Sequence, residues 1–220
     1  MNYKSIVIGA SSGIGLAITK ELLNTGHLVT GISRRSISLE NKNYTHIIQD
    51  VTSKDFISLI NKNIQLSNYN NLIYCTGKNK VKLAAELKKN DIEDLFNTNL
   101  IPALLISSEF AKSRKISKDS SILYIGSIWS SFGLKGRSLY GASKSALIGF
   151  TKHLSAELSP KGCLVNVLSP GFTNTPLTEK TKNDKEIKNV LSRVNSQDLL
   201  DPKDIASHAM MLITPNNKCI

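Results

Sequence analysis

The sequence predicts an α/β fold built on one doubly wound parallel sheet, with residues 1–220 forming a single domain. Two observations lead there: short apolar runs bounded by turn signals alternate with longer helical patterns, and a glycine-rich turn follows the first run. The runs read as buried strands, in order Ser5–Ile8, Leu28–Ile32, Tyr44–Ile48, Asn71–Cys75, Ser121–Ile125 and Leu164–Leu168. They are apolar nearly throughout, as strands covered on both faces must be. Between them, Gly15–Asn24 repeats Leu16, Ile18, Leu22 and Leu23 at helical spacing, and Asp91–Lys115 and Gly141–Leu158 read as two further helices. No repeat, low-complexity block or linker divides the chain. In an open sheet of this class, ligands bind beyond the carboxyl ends of the strands, so the residues just after each strand carry the functional information.

Composition narrows the class. Of 220 residues, 40% are apolar and 20% charged, enough for a sizeable core. No apolar run approaches the ~20 residues of a membrane span. The start, Met1 to Ser5, leads straight into the short stretch Ile6–Ile8, without the longer apolar segment of a signal peptide. A soluble, cytoplasmic protein with no membrane partner is expected. Cys75, Cys163 and Cys219 form no Cys-x-x-Cys pair, and His27, His46, His153 and His208 have no ligand spacing, so no metal is expected. The net charge of +11 favours anionic partners. Its lysines are scattered and interleave with no aromatics, which argues for a solvated surface rather than nucleic-acid binding.

After the first strand comes Gly9-Ala10-Ser11-Ser12-Gly13-Ile14-Gly15, then a helix. Glycines let the backbone turn tightly and approach a ligand, and the helix N-terminus offers free N–H groups and a positive dipole end to a pyrophosphate. The second strand ends Ser33-Arg34-Arg35 and carries no acid to hold ribose hydroxyls. A hydroxyl followed by two guanidinium groups suits a 2′-phosphate instead, since Arg engages phosphate bidentately. NADP(H) is the expected cofactor, with NAD(H) the alternative.

Tyr140-Gly141-Ala142-Ser143-Lys144 opens the last long helix. Residues four apart share a helix face, so the Tyr140 phenol and the Lys144 ammonium meet the same space. A phenol titrates near ~10, and lowering that by ~2 units takes about 2.7 kcal/mol of differential stabilisation. A close ammonium in a partly desolvated site is a plausible source. Ser127 ends the preceding strand, and Pro170-Gly171 follows the next.

Together the glycine loop, Asp50-Val51, Asn99, Ser127, Tyr140, Lys144 and Pro170-Gly171 resemble the short-chain dehydrogenase/reductase family, nearest to its 3-oxoacyl-carrier-protein reductase type, from about Ser5 to Ile213. The resemblance implies a Rossmann-like fold. It also implies that Tyr140 exchanges a proton with a carbonyl or secondary alcohol as hydride moves to or from nicotinamide. Ser127 would hydrogen-bond the same oxygen, and Lys144 would hold the nicotinamide ribose and depress the Tyr140 pKa. Asn99 would anchor a water in a proton relay. The nucleotide would meet Gly9, Ser11, Ser12, Gly13, Ile14, Gly15, Ser33, Arg34, Asp50, Val51, Cys75, Gly77, Pro170 and Thr173, besides Tyr140 and Lys144.

Two departures stand out. The family pattern Asn-Asn-Ala-Gly is here Tyr74-Cys75-Thr76-Gly77, and the chain stops at Lys218-Cys219-Ile220, before the family's last edge strand. The expected assembly is therefore a homodimer through Asn97–Ser113 and Gly141–Leu158 rather than a tetramer. The stretch Thr175–Gln197, with Leu177, Ile187, Val190, Leu191 and Val194, lies where a substrate lid is expected. Ile128, Trp129 and Phe132 would form the opposite, apolar wall. A small carbonyl substrate or an acyl thioester is implied, with an acidic carrier protein as a partner that suits the basic surface. Two alternatives stay open: a sugar-like or other secondary-alcohol dehydrogenase, and a catalytically silent cofactor-binding regulator.

Overall fold

Six parallel strands form one sheet in the order β3-β2-β1-β4-β5-β6. They are β1 (Lys4–Ile8), β2 (Leu28–Ser33), β3 (Tyr44–Ile48), β4 (Asn71–Tyr74), β5 (Ser121–Ile125) and β6 (Leu164–Leu168). The structure is a computed structural model and describes residues 3–112, 119–181, 187–188, 191–192 and 198–214. Strand order reverses between β1 and β4, which are hydrogen-bonded neighbours, and this is where a doubly wound sheet opens its ligand crevice.

Alternation along each strand explains why the runs are apolar throughout. Ile6, Ile8, Leu72, Tyr74, Ile122 and Tyr124 point to one face. Val7, Ile73 and Leu123 point to the other. The first face is covered by α2 (Phe56–Asn63), α4 (Ile101–Lys112) and α5 (Ser138–Leu158) through Phe56, Ile60, Ile106, Phe110, Leu147 and Leu154. The second is covered by α1 (Gly13–Asn24) and α7 (Pro202–Ile213) through Ile18, Leu22, Ala206, Ala209 and Ile213. Each of the buried Ile, Leu and Phe side chains contributes roughly 1.5–3 kcal/mol, so two cores hold one sheet. The remaining described helices are α3 (Lys89–Asn99) and the short α6 (Pro176–Thr181).

Helix α7 starts where the sequence signals it. Asp201 accepts a hydrogen bond from Lys203 N–H at 2.8 Å, and Pro202 occupies the first turn, where its missing N–H costs nothing. In α3, Asp91 in the first turn accepts from Lys88 N–H at 3.0 Å.

The long helix expected over Asp91–Lys115 is instead two helices that break at Leu100 (φ −124°, ψ −62°). The cause is Pro102, which has no N–H to give to the Thr98 carbonyl four residues back. That carbonyl accepts from the buried Tyr74 phenol at 2.7 Å instead. Lys115 lies outside the described residues. Among the described residues β3 and β6 are the two edges of the sheet, and no helix is long and apolar enough to cross a membrane.

Candidate active site

A cleft of about 550 Å³ opens at the carboxyl ends of the strands and runs from the glycine loop to Tyr140 and Lys144. The loop is shaped by contacts that only glycine allows. Gly9 has φ +95°, and a Cβ there would stand 2.9 Å from Thr76 N. At Gly15 a Cβ would stand 2.2 Å from the Gly9 carbonyl oxygen, so the first turn of α1 packs directly on the end of β1. Ser11, Ser12, Gly13 and Ile14 complete the loop and line the cleft. The first N–H groups of α1 have no intrahelical acceptor and open toward it.

At the end of β2, Ser33 is buried while Arg34 and Arg35, just past it, are exposed, and all three line the cleft. Asp50 and Val51 lie beside them. Asp50 accepts from the Thr52 N–H and hydroxyl, each at 2.8 Å. Partial burial pushes its carboxyl up, but these bonds and the charges of Arg34 and Lys78 outweigh that and hold it below the usual carboxylate range.

At the other end, Ser127 follows β5, and its hydroxyl accepts from Trp129 N–H at 3.3 Å and hydrogen-bonds the Tyr140 phenol. Tyr140 and Lys144 are buried on the first turns of α5. The Lys144 ammonium donates to the Ile125 carbonyl at 2.7 Å and lies 6.0 Å from the Tyr140 ring centre. Burial lowers Lys144 from 10.5 to about 8. It raises the Tyr140 phenol above its ordinary value, which the Ser127 hydrogen bond and the Arg137 charge only partly offset. The depression of Tyr140 by Lys144 that the sequence led us to expect is thus not what governs this site: desolvation moves the phenol up and the amine down.

Asn99 is fully buried beneath the cleft floor, where a Cβ on Gly77 would stand 3.7 Å from its Oδ1 and 3.4 Å from Lys144 Nζ. Its Oδ1 accepts from Lys78 N–H at 2.7 Å, and its Nδ2 donates to the Lys78 carbonyl at 2.9 Å and to Ser143 Oγ at 3.0 Å. The altered Tyr74-Cys75-Thr76-Gly77 segment keeps its strand contact through Cys75 N–H to the Ile8 carbonyl at 2.8 Å. The Cys75 thiol lines the cleft, pushed up to about 12 by burial against the opposing pull of Lys144. Gly77 gives the cleft its floor, since a Cβ there would stand 3.4 Å from Lys144 Nζ. Pro170 and Thr173 form the opposite rim, where Thr173 pairs with Leu200.

Of the expected apolar wall, only Trp129 lines the cleft, held edge-on by Phe172. Phe132 is 67% exposed, because its loop turns outward after the short helix Ile128–Ser130. In the expected lid, Leu177 lines the cleft and Ile187 is buried, while Val190, Val194 and the stretch 193–197 lie outside the described residues. Sequence reasoning passed over Lys78, and within the expected lid it gave Thr175 and Thr178 no separate role, although all three line the cleft. The Thr-x-Thr-Pro run after Pro170-Gly171 was the available signal for Thr175.

Strand order, crevice and glycine loop define a nucleotide-binding α/β protein of the dehydrogenase class. A family model described as short chain dehydrogenase matches residues 4–186, and the chain belongs to that family; it is an oxidoreductase of this type. It is 32% identical over 220 residues to the 3-oxoacyl-acyl-carrier-protein reductase FabG of Rickettsia prowazekii, covering 97% of this chain and 89% of the relative. Among solved structures, the ligand-free aldohexose dehydrogenase of Thermoplasma acidophilum superposes with a TM-score of 0.87 at 26% identity, covering 100% and 89% of the two chains. ElxO with NADP bound shares the fold, with a TM-score of 0.85 at 24% identity over 100% and 94%.

Burying Lys144 has a measurable signature. Between pH 8 and 10.5 the unfolded chain keeps this proton and the folded chain releases it, so stability from this group rises with pH across that window. Comparing urea unfolding of wild type and Lys144→Met from pH 7 to 10, the wild type should gain up to about 3 kcal/mol relative to the variant. Parallel curves would show that the amine keeps its ordinary pKa.

Proposed function

We propose that residues 1–220 form one NADP-binding domain that transfers hydride between nicotinamide and a carbonyl or secondary alcohol, with NADPH preferred over NADH and Tyr140 as the acid–base group. One observation carries this: the Ser127 hydroxyl, the Tyr140 phenol and the Lys144 ammonium gather at one end of a cleft whose other end is a glycine loop beside two exposed guanidinium groups. The cradle suits a dinucleotide phosphate, because side chains are absent where backbone must approach at Gly9, Gly15 and Gly77. Bound NADPH supplies the hydride.

The chain's own residues supply the rest. Tyr140, kept protonated by burial, gives its proton to the carbonyl oxygen, and in the reverse direction its phenolate takes the alcohol proton. Ser127 donates a hydrogen bond to the same oxygen as charge develops. Lys144, fixed by the Ile125 carbonyl, holds ribose hydroxyls and stabilises the phenolate once the proton has left. Arg34 and Arg35 grip the 2′-phosphate.

A 3-oxoacyl thioester is the favoured substrate class, supported by the FabG relative and by Trp129 on the cleft wall. An acidic carrier would suit the net charge of +11. A sugar-like alcohol is the second choice, favoured by the polar lining at Lys78 and Asn79 and by the aldohexose dehydrogenase likeness. We further propose a homodimer through α4 and α5, because Ile101 and Leu105 stand one turn apart on α4 at 43% and 48% exposure.

Fluorescence titration should give an NADPH dissociation constant at least about tenfold below that of NADH, the worth of one charge-assisted contact; the reverse order would overturn the cofactor assignment. Tyr140→Phe should lose about 10²–10⁴-fold in turnover while nucleotide affinity stays within about threefold. Unchanged turnover would remove Tyr140 from the chemistry. Light scattering should give twice the 24.1 kDa chain mass, and a mass of one or four chains would contradict the dimer.

A further inference from the structure

Behind the Arg34–Arg35 turn lies a chain of side chains of which only Ser33 has been given a part above. β2 and β3 pair with Gly31 opposite His46 and Ser33 opposite Ile48. Along this pair the Tyr44 phenol oxygen lies 2.6 Å from His46 Nδ1, and His46 Nε2 lies 3.2 Å from Ser33 Oγ. Ser33 Oγ in turn donates to the Arg35 carbonyl at 2.7 Å. Gly31 makes the room, since a Cβ there would stand 2.3 Å from the Tyr44 hydroxyl.

Counting protons gives the chain a direction. A serine hydroxyl has one hydrogen, and Ser33 commits it to the Arg35 carbonyl, so His46 Nε2 is the donor to Ser33. A neutral imidazole has one N–H, so Nδ1 is an acceptor and the Tyr44 phenol donates to it. Burial keeps the imidazole neutral by lowering its pKa, while a hydrogen bond with the Arg35 backbone partly opposes that. The direction is therefore Tyr44 to His46 and on to the Arg35 carbonyl, through Ser33 and by the imidazole's own bond to that backbone, with one tautomer fixed along the way. It ends on the backbone of the residue that carries the second guanidinium.

We infer that His46, oriented by Tyr44 and acting through Ser33, is a positioning residue that sets the Arg34–Arg35 turn for a nucleotide 2′-phosphate. The inference rests on the NADPH reading above and adds to it. Selectivity is decided from behind the guanidinium groups as well as by them, because a turn whose carbonyl is held leaves the two side chains a narrower set of directions.

The experiment is fluorescence titration of wild type, His46→Leu, His46→Gln and Tyr44→Phe with NADPH and with NADH, each protein checked by its melting curve. His46→Leu should weaken NADPH about 5- to 10-fold and NADH less than about 2-fold, the scale of one lost hydrogen bond. His46→Gln keeps one donor and one acceptor and should restore most of the selectivity, which a merely space-filling role would not predict. Tyr44→Phe, which removes a single hydroxyl near the sheet edge, should lower selectivity by about 2- to 3-fold and carries the test if His46→Leu does not fold. Equal weakening of both nucleotides, or full selectivity in His46→Leu, would overturn the inference alone. A wild-type protein with no preference for NADPH would overturn the reading beneath it and the inference too.

Discussion

The buried side-chain amide of Asn99 ties together the three segments on which the site depends. Through Oδ1 and Nδ2 it clamps both backbone groups of Lys78, just past the end of β4, and through Nδ2 it also holds Ser143 on α5. Ser143 hands the contact on by donating to the Tyr140 carbonyl at 2.8 Å. A single fully buried side chain thereby sets the distance between the cleft floor at Gly77 and the helix face that carries Tyr140 and Lys144. Buried polar groups are costly unless paired, and pairing all three of these bonds leaves the amide one orientation. Pro102 makes this possible. By breaking the helix at Leu100 and freeing the Thr98 carbonyl for Tyr74, it fixes the last turn of α3, and Asn99 with it, against β4.

The electrostatics of the site follow from the same tight packing. Tyr140 and Lys144 are both buried where they meet the cleft, and each moves toward its neutral form, the phenol upward and the amine to about 8. A proton donor is useful only while it holds its proton, and a buried ammonium persists only where a dipole meets it. The Ile125 carbonyl is that dipole. Its position at the end of β5 means that the sheet itself, and not a loop, fixes the cation.

Much of this was legible in the sequence, for a physical reason. Strands buried on both faces must be apolar at consecutive positions, so the central strands appeared as runs, the partly exposed edge strands β3 and β6 were found with them, and the ends were off by no more than one residue at β1, β2 and β4. The glycine loop, Tyr140, Lys144 and Ser127 were legible because each occupies a position fixed by backbone geometry. What escaped notice depended on contacts distant in sequence. Helix α2 buries only Phe56 and Ile60, one turn apart, too weak a period to register. The break before Pro102 was visible as a proline, but its consequence required Tyr74 on another strand. Asn99 could be placed near the site, yet whether its amide faces the cleft or the core depends on Lys78 and Ser143, 21 and 44 residues away.

The charge surplus gains meaning from where it is cancelled. Around the mouth of the cleft the lysines are spent on acids: Lys78 pairs with Asp94, and Lys80 and Lys82 both pair with Asp91. Exposed pairs of this kind add little stability. Asp91, however, is only 9% exposed at its side chain, and it also receives the Lys88 N–H. With these contacts it straps the segment between β4 and α3 down at both ends, and Lys82 N–H meets the Gly136 carbonyl at 2.9 Å on the facing loop. The substrate mouth is therefore held by neutralised cations, whereas at the β2 end Arg34 and Arg35 form no ion pair among the described residues. A dianionic phosphate is attracted to that end, while around Tyr140 the charges are the buried ammonium of Lys144 and the Arg137 guanidinium, with Lys180 further along the lining. The cleft is thus polarised along its length, as the proposed placing of a nucleotide phosphate at β2 and its reactive end at Tyr140 requires.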